Sequence, residues 1–506
     1  MRWQPATGVL LAGLPAAAAC ATVAAAAAAV VRRVAVDYAE PVVYGQALRL
    51  VWGEPLYQPL DRSPLTVAAY TPLYYWVAAT LQILVGPGFG PGRALSLACG
   101  IAAAVMVGVI AGRNAGEKWA GMFAGLLFVA LAFPRDRDDT PWLGLYRVDL
   151  LGVALSLAAV AVLTWRNNIR AAVVAGFLAG LALLCKPTFF AALLAGGLWL
   201  FLGNEKRTFT AFIVSAALIF AVPCALLQAT TGAFVQNTVE ANLNPVYLVV
   251  AARLVSVFVL TQWLPLLLAG AYLGLAQQWW NSQSRLVVLY WAASSLWVLF
   301  IGNIGANYNY WIEFAAATAI LAGQGAACLV MAPRKALAAG LILVVATQLG
   351  GPAALLASVR AVRSDLQALL VTAPDPEFDA LVDRVHHEPG AVLAEPMDVV
   401  VLGGRPVLFE PFIYSVRLDT GRWDPAHLIA RICHGDFGLV VLGYSLEVAA
   451  RMNDGLHALW PPPVLAALHD STALEGMLAG RYIYTPISAS GPGCRFQRAD
   501  YAPDFL

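Results

Sequence analysis

The sequence predicts a polytopic α-helical membrane protein with a small α/β domain at its C-terminal end, and three observations carry this. Of 506 residues, 60% are hydrophobic and only 12% are charged, whereas a soluble domain has about 25% charged residues. Apolar stretches recur from residue 8 to residue 356, many near the roughly 20 residues that cross a bilayer as a helix. Beyond residue 358 the composition turns polar, with TAPDPEFDALVDRVHHEPG followed by short apolar runs. In lipid every backbone polar group needs an internal partner, so the crossing pieces are helices.

Eleven segments qualify as crossings: 8–31, 94–112, 118–133, 149–165, 171–185, 188–203, 209–229, 248–275, 286–302, 311–331 and 336–356. The first follows Arg2 and is rich in alanine. Its length favours a retained helix over a secretory signal peptide. A twelfth stretch, 66–86 (TVAAYTPLYYWVAATLQILVG), is rich in aromatic residues and bounded by Pro64 and Pro87. It is read as a re-entrant or interfacial helix inside a first extracytoplasmic loop, 32–93. Arg32 and Arg33 favour the opposite assignment, in which 66–86 spans. The loops 113–118, 166–170, 204–207, 277–285 and 333–335 each carry Lys or Arg, so they are placed in the cytoplasm. The loops 134–149, 230–247 and 302–310 hold the acidic and aromatic residues and fall outside. Arg135, Arg137, Arg147 and Lys186 then sit on the unexpected side. That suggests an anionic substrate, or, for Arg135 and Arg137, local pairing with Asp136, Asp138 and Asp139.

The transmembrane module is taken as 1–357 and the extracytoplasmic domain as 358–506. In the latter, AVLAEP, DVVVLGG, RPVLFEP and GLVVLGY read as strands, and the stretch 427–433 as a helix. Cys433 and Cys494 lie in this oxidising compartment and are a candidate disulfide. Cys20, Cys99, Cys185, Cys224 and Cys328 read as small core residues. No Cys or His spacing for a metal is present, and all six histidines lie in the C-terminal domain. A net charge of +1 argues against nucleic acid as a partner, since such proteins carry a basic excess.

Chemistry concentrates in outer loops. Asp37 and Glu40 follow directly on the first helix, in VRRVAVDYAEPVVYGQALRL. They open a loop containing GEPLYQP, YTPLYYW with Tyr70 and Tyr74, and GPGR. Ionisable groups near lipid are costly and mark functional pathways. Three further stretches stand out: LYRVDLLGVALSL with Arg147 and Asp149, LLCKPTFF with Lys186, and ANYNYWIEF with Tyr308 and Glu313. Each has a structural alternative. Glu40 could simply start a helix at Pro41, and Asp149 could complement a helix dipole. Lys186 could snorkel, the tyrosines could form an interfacial belt, and Glu313 could pair within the bundle.

Taken in order, these motifs resemble the GT-C superfamily of polytopic glycosyltransferases that use polyprenyl-phosphate-linked sugars, in the branch of protein mannosyltransferases and aminoarabinose transferases. The resemblance covers residues 1–330. It implies that Asp37 occupies the family's acidic position after the first helix. Here Asp-Tyr-Ala-Glu replaces the frequent adjacent Asp-Glu, so Asp37 and Glu40 are both catalytic candidates. It implies similarly that Asp149 leads into the fourth helix and that Lys186 is the lysine between the fifth and sixth.

The expected function is therefore an inverting transferase, hexosyl or pentosyl, in the bacterial inner membrane. The donor is a polyprenyl-phosphate sugar and the acceptor an extracytoplasmic lipid, polysaccharide or protein. A carboxylate deprotonates the acceptor, while Arg147 and Lys186 hold the departing phosphate, with Tyr70, Tyr74, Tyr308 and Glu313 also on substrate. A divalent metal shared by Asp37 and Asp149 is a further candidate; alternatively Asp149 orients Arg147. The rival reading is a transporter or lipid flippase, which usually shows repeats and buried midplane charge. No repeat is visible.

Overall fold

Helices occupy nearly the whole of the apolar region. The structure is a computed structural model and describes residues 3–133, 141–275, 282–332, 335–370, 375–451 and 459–487. Five helices are long and apolar enough to cross a membrane: Ala6–Val31, Gly90–Ala115, Lys206–Thr231, Leu248–Leu275 and Tyr308–Met331. Six of the expected crossings are instead shorter apolar helices of 10–17 residues, among them Lys118–Leu131, Asp149–Trp165, Ile169–Cys185 and Ala191–Leu202. Small residues let these pieces pack closely. A Cβ built on Gly121 would lie 2.3 Å from the carbonyl oxygen of Gly108, so Gly90–Ala115 and Lys118–Leu131 meet backbone to backbone.

The segment 66–86 does not form one crossing helix. Residues 66–72 are not helical, and the helix Leu73–Val85 has 13 residues. At 1.5 Å per residue it is about 20 Å long, short of the roughly 30 Å hydrocarbon core. Length alone does not set it apart, since Ala191–Leu202, an expected crossing, has 12 residues.

The C-terminal part builds one four-stranded sheet among the described residues. It comprises β1 (Ala391–Glu395), β2 (Phe437–Leu442), β3 (Thr472–Leu478) and β4 (Arg481–Pro486), in the order β1-β2-β4-β3. β1 and β2 run parallel with Leu393 opposite Val440. Both are almost wholly buried, as parallel strands covered on two faces require. β3 and β4 form an antiparallel hairpin. Two of the expected strands are corrected. DVVVLGG forms a short helix, Asp398–Leu402, at whose first residue Arg481 clamps both oxygens of Asp398 at 2.6 and 2.9 Å. RPVLFEP is extended but joins no sheet strand; it pairs instead with the first loop through a parallel bridge, Leu65 to Phe409. The expected helix at 427–433 is present as Ala426–His434.

That bridge fastens loop 32–93 to the C-terminal domain. Leu65 N donates to Leu408 O at 2.8 Å, and Glu410 N to Leu65 O at 2.9 Å. Leu60, Leu65 and Val67 share a core with Phe409, Tyr414 and Trp460. The expected domain boundary at 357/358 falls inside the helix Pro352–Leu370, which packs along Ala16–Val31. Cys433 is disulfide-bonded; its expected partner Cys494 lies outside the described residues, as do Arg135 to Asp139. Cys20 is exposed rather than a core residue.

Candidate active site

The site grows from the turn after the first helix. Asp37 Oδ1 accepts from Ala39 N at 3.0 Å, the local bond by which Asp folds a turn. Three residues on, Glu40 Oε2 accepts from Val36 N at 2.8 Å. This resembles the reciprocal capping of a helix start, and the helix Ala39–Val51 begins here.

The two carboxylates then part company. Glu40 turns inward onto Arg93, which donates from Nε at 2.8 Å and from Nη2 at 2.6 Å. Both side chains are 0% exposed. Arg93 also reaches the carbonyls of Ala29, Arg32 and Val34 at 2.7–2.9 Å, tying the end of the first helix to Gly90–Ala115. Glu40 Oε1 further accepts from Tyr146 N at 2.7 Å. Tight packing fixes Tyr146 itself: a Cβ on Gly92 would lie 2.2 Å from its ring. Glu40 is thus sealed from any substrate, which argues against its expected role as a base. Its bond to Tyr146 N instead sets the backbone one residue before Arg147.

Arg147 is delivered to Asp37, with Nη1 on Asp37 Oδ1 at 2.8 Å. Its Nε lies 3.3 Å from Asp149 Oδ2, so neither carboxylate takes Nη2. Asp149 opens the helix Asp149–Trp165. Its Oδ1 receives Lys186 Nζ at 3.3 Å and Asn309 Nδ2 at 2.9 Å. The result is a continuous row, Asp37–Arg147–Asp149–Lys186, with Asn309 at its inner end. Aromatic faces line the cations. Lys186 Nζ stands 4.2 Å from the Tyr310 ring centroid and 5.5 Å from that of Tyr70, and Arg147 stands 5.3 Å from Trp142. Burial disfavours the Lys186 ammonium, but Asp149 outweighs it and holds the amine above its ordinary value. Arg147 is raised similarly, burial being overcome chiefly by Asp37. Both cations therefore stay charged at any physiological pH.

Exposure grades along the row. The side chain of Asp37 is 16% exposed and that of Arg147 11%, whereas Lys186 is at 6% and Asp149 at 4%. Both hydrogen bonds to Asp37 use Oδ1. Among the described residues, none bonds Oδ2.

The other expected residues divide. Tyr70 lies at the row. Tyr308 supports it from behind, stacked on Trp311 at 4.8 Å and edge-on to Trp142 at 5.7 Å. Tyr74 is fully buried against Tyr146, away from the charges. Glu313 lies within the bundle, bonded to Ser156 and, at 3.1 Å, to Tyr290. It meets Asn309 and Tyr310 only across a cavity of about 20 Å³. Asn309 and Tyr310, one and two residues on from the expected Tyr308, are the contacts the sequence reading missed. The metal expectation does not fit this arrangement. Arg147 stands between Asp37 and Asp149, and each carboxylate is already paired with a cation. Among the described residues no group of three His, Cys, Asp or Glu side chains converges.

Known structures resemble this architecture along most of the chain. ArnT from Cupriavidus metallidurans in the apo state aligns with a TM-score of 0.56 and 14% identity, covering 90% of this chain and 94% of ArnT. Its undecaprenyl phosphate-bound form aligns equally, at 0.56 and 15%. The oligosaccharyltransferase AglB from Archaeoglobus fulgidus, in complex with an inhibitory peptide and a dolichol-phosphate, gives 0.53 and 12% over 97% of this chain and 75% of AglB. Both are GT-C superfamily enzymes. The chain has the GT-C fold. No family model and no curated protein sequence matches it. With this fold and its apolar helices, the chain is an integral membrane protein. The GT-C architecture places the charged row between the end of the first helix and the loops entering Asp149–Trp165 and Ala191–Leu202. A further structure of the Archaeoglobus fulgidus enzyme is a complex with Zn and sulfate.

Proposed function

We propose that this chain is an inverting glycosyltransferase that moves a sugar from a polyprenyl-phosphate donor to an extracytoplasmic acceptor. The observation that carries the reading is the row Asp37–Arg147–Asp149–Lys186, with one carboxylate oxygen at its exposed end unbonded among the described residues and two cations behind it. ArnT has been solved with undecaprenyl phosphate and AglB with a dolichol-phosphate, which supports a polyprenyl phosphate as the sugar carrier here.

Asp37 Oδ2 takes the proton from an acceptor hydroxyl. The hydroxyl oxygen attacks the anomeric carbon, the bond from that carbon to the phosphate oxygen breaks, and the electron pair leaves with the polyprenyl phosphate. Displacement from the opposite face inverts the centre. Charge grows on the phosphate as the bond breaks. Arg147 Nη2 and Lys186 take it up, and donors fixed in advance are effective because nothing must reorganise. Asp149 and Asn309 hold the two cations in place, and Tyr70 and Tyr310 wall the lysine. Glu40 and Arg93 position Arg147 without touching substrate.

The six shorter helices complete eleven crossings, of a bacterial inner membrane. The C-terminal domain then lies outside the cytoplasm with the row. The sugar is a hexose or a pentose, and the acceptor a lipid, polysaccharide or protein.

In lipid nanodiscs supplied with a mixture of undecaprenyl-phosphate sugars and a cell-envelope extract as the source of acceptor, the chain should release undecaprenyl phosphate. Arg147→Ala and Lys186→Ala should each weaken donor use by about 10-fold or more, since a hydrogen bond to a charged group contributes roughly 1.5–3 kcal/mol. Unchanged donor kinetics in both variants would remove the phosphate-binding roles.

A further inference from the structure

A second cavity lies away from the charged row, where the first loop meets the C-terminal domain. Its volume is about 320 Å³, at the lower end for pockets that hold small molecules, roughly 300–1,000 Å³. Asp61 and Ser63 of the loop form one wall. Arg417, Arg422, Trp423, Asp424, His427 and Arg431 form most of the rest.

The cavity carries charge of both signs, with Arg417, Arg422 and Arg431 facing the same space as Asp61 and Asp424. Arg431 is committed, with Nε on Asp436 at 3.1 Å. Among the described residues the other two arginines hydrogen-bond to neutral carbonyls, and Arg417 also lies 5.7 Å from the Tyr414 ring centroid. Arg422 bonds the carbonyls of Glu240, at 3.0 Å, and Leu243. Arg417 donates from Nη2 to Arg422 O at 3.0 Å, and its Nε is buried without a hydrogen-bond partner. Among the described residues neither makes an ion pair. Burial lowers the pKa of Arg417 and the neighbouring Arg422 adds to this, opposed in part by Tyr414, Glu240 and Asp61. Two adjacent guanidinium groups with no carboxylate in direct contact among the described residues suit an anion, which Arg binds with charge-assisted hydrogen bonds. The remaining walls suit hydroxyls and an apolar ring face. Asp61, Asp424 and His427 can bond hydroxyl groups. Trp423 is braced edge-on by Tyr414 at 5.0 Å and by the tilted ring of Phe409 at 5.9 Å, so its ring is held rigid.

We propose that this cavity binds an anionic saccharide, with its phosphate or carboxylate on Arg417 and Arg422 and its sugar ring against Trp423. As a holding site for the acceptor it rests on the transferase reading; as a binding site it does not.

The test is titration calorimetry on the full chain in nanodiscs with glucose 6-phosphate and glucuronate, alongside glucose and inorganic phosphate. At least one anionic sugar should bind, and which of the two binds more tightly assigns the anion. Glucose and inorganic phosphate should each bind about 10-fold or more weakly. Arg417→Gln and Trp423→Leu should weaken the anionic sugar by a similar factor, and Lys186→Ala should leave it unchanged. Absence of binding by both anionic sugars would overturn the proposal. So would inorganic phosphate binding as well as the sugar phosphate, which is an anion site only, or loss of binding in Lys186→Ala, which places the ligand at the charged row. If Arg417→Gln fails to fold, the four-ligand comparison on the unmodified chain still decides. Binding without any transfer would retain this site and refute the transferase reading.

Discussion

Glu40→Gln should be primarily a stability variant. The two oxygens of Glu40 receive four donors: Arg93 Nε and Nη2 at 2.8 and 2.6 Å, Tyr146 N at 2.7 Å and Val36 N at 2.8 Å. Glutamine keeps the size but replaces one oxygen with an NH₂ group. That group must then face an arginine N–H and a backbone N–H, donor against donor. It also leaves the Arg93 guanidinium without its counter-charge at 0% exposure. Breaking a buried pair from one side costs about 3–5 kcal/mol, a large share of the roughly 5–15 kcal/mol that holds a typical domain together. Thermal melting in detergent should therefore show a clear loss of stability, and Arg93→Lys should show the same. Residual folded enzyme should transfer more slowly, because Tyr146 N loses its acceptor and Arg147 its placement. Full stability with abolished transfer would refute the reasoning and return Glu40 to the role of base.

Two other outcomes are expected. Burial pushes the Glu410 carboxyl up to about 8, only partly opposed by the Val67 N–H it accepts. The folded chain then keeps a proton that the unfolded chain loses near 4.5, so stability should fall as pH rises from about 4.5 to about 8 and level off above. Glu410→Gln should flatten that slope in melting curves taken across the range, and an unchanged slope would assign it elsewhere. For topology, a membrane-impermeant thiol reagent on intact cells should label Ala430→Cys and not Asn167→Cys; the reverse would invert the orientation.

The acid pair shows how far local sequence reaches. The sequence placed Asp37 and Glu40 just after the first helix and offered Glu40 as the start of the next, and the local bonds agree with that. Which of them faces the substrate side is decided by Arg93, 53 residues beyond Glu40, and no local pattern carries that choice. The aromatic stretch 306–314 was legible as a place of interest but not in its phase. Tyr308–Trp311 is a tight three-residue-per-turn helix, so Asn309 meets Asp149 and Tyr310 meets Lys186, while Tyr308 packs behind. In the C-terminal domain β1 and β2 were readable as apolar runs. The β3–β4 hairpin was not, because its turn is Ala479–Gly480 with φ of +52° and +70°, in place of the Asn-Gly or Asp-Gly that signals such turns. The valines of 398–402 suggested a strand, yet they stand in the short helix that opens at the Asp398–Arg481 pair.

The central claim is that Asp37 is the base, and Asp37→Asn tests it most directly. Asparagine preserves the size and a carbonyl oxygen that can accept from Ala39 N or Arg147, but it cannot take a proton. In single-turnover transfer from a saturating polyprenyl-phosphate sugar, the rate should fall at least about 100-fold, the low end for loss of a general base. Donor binding and melting temperature should stay near those of the unmodified chain. Near-normal turnover by a folded Asp37→Asn protein would contradict the account.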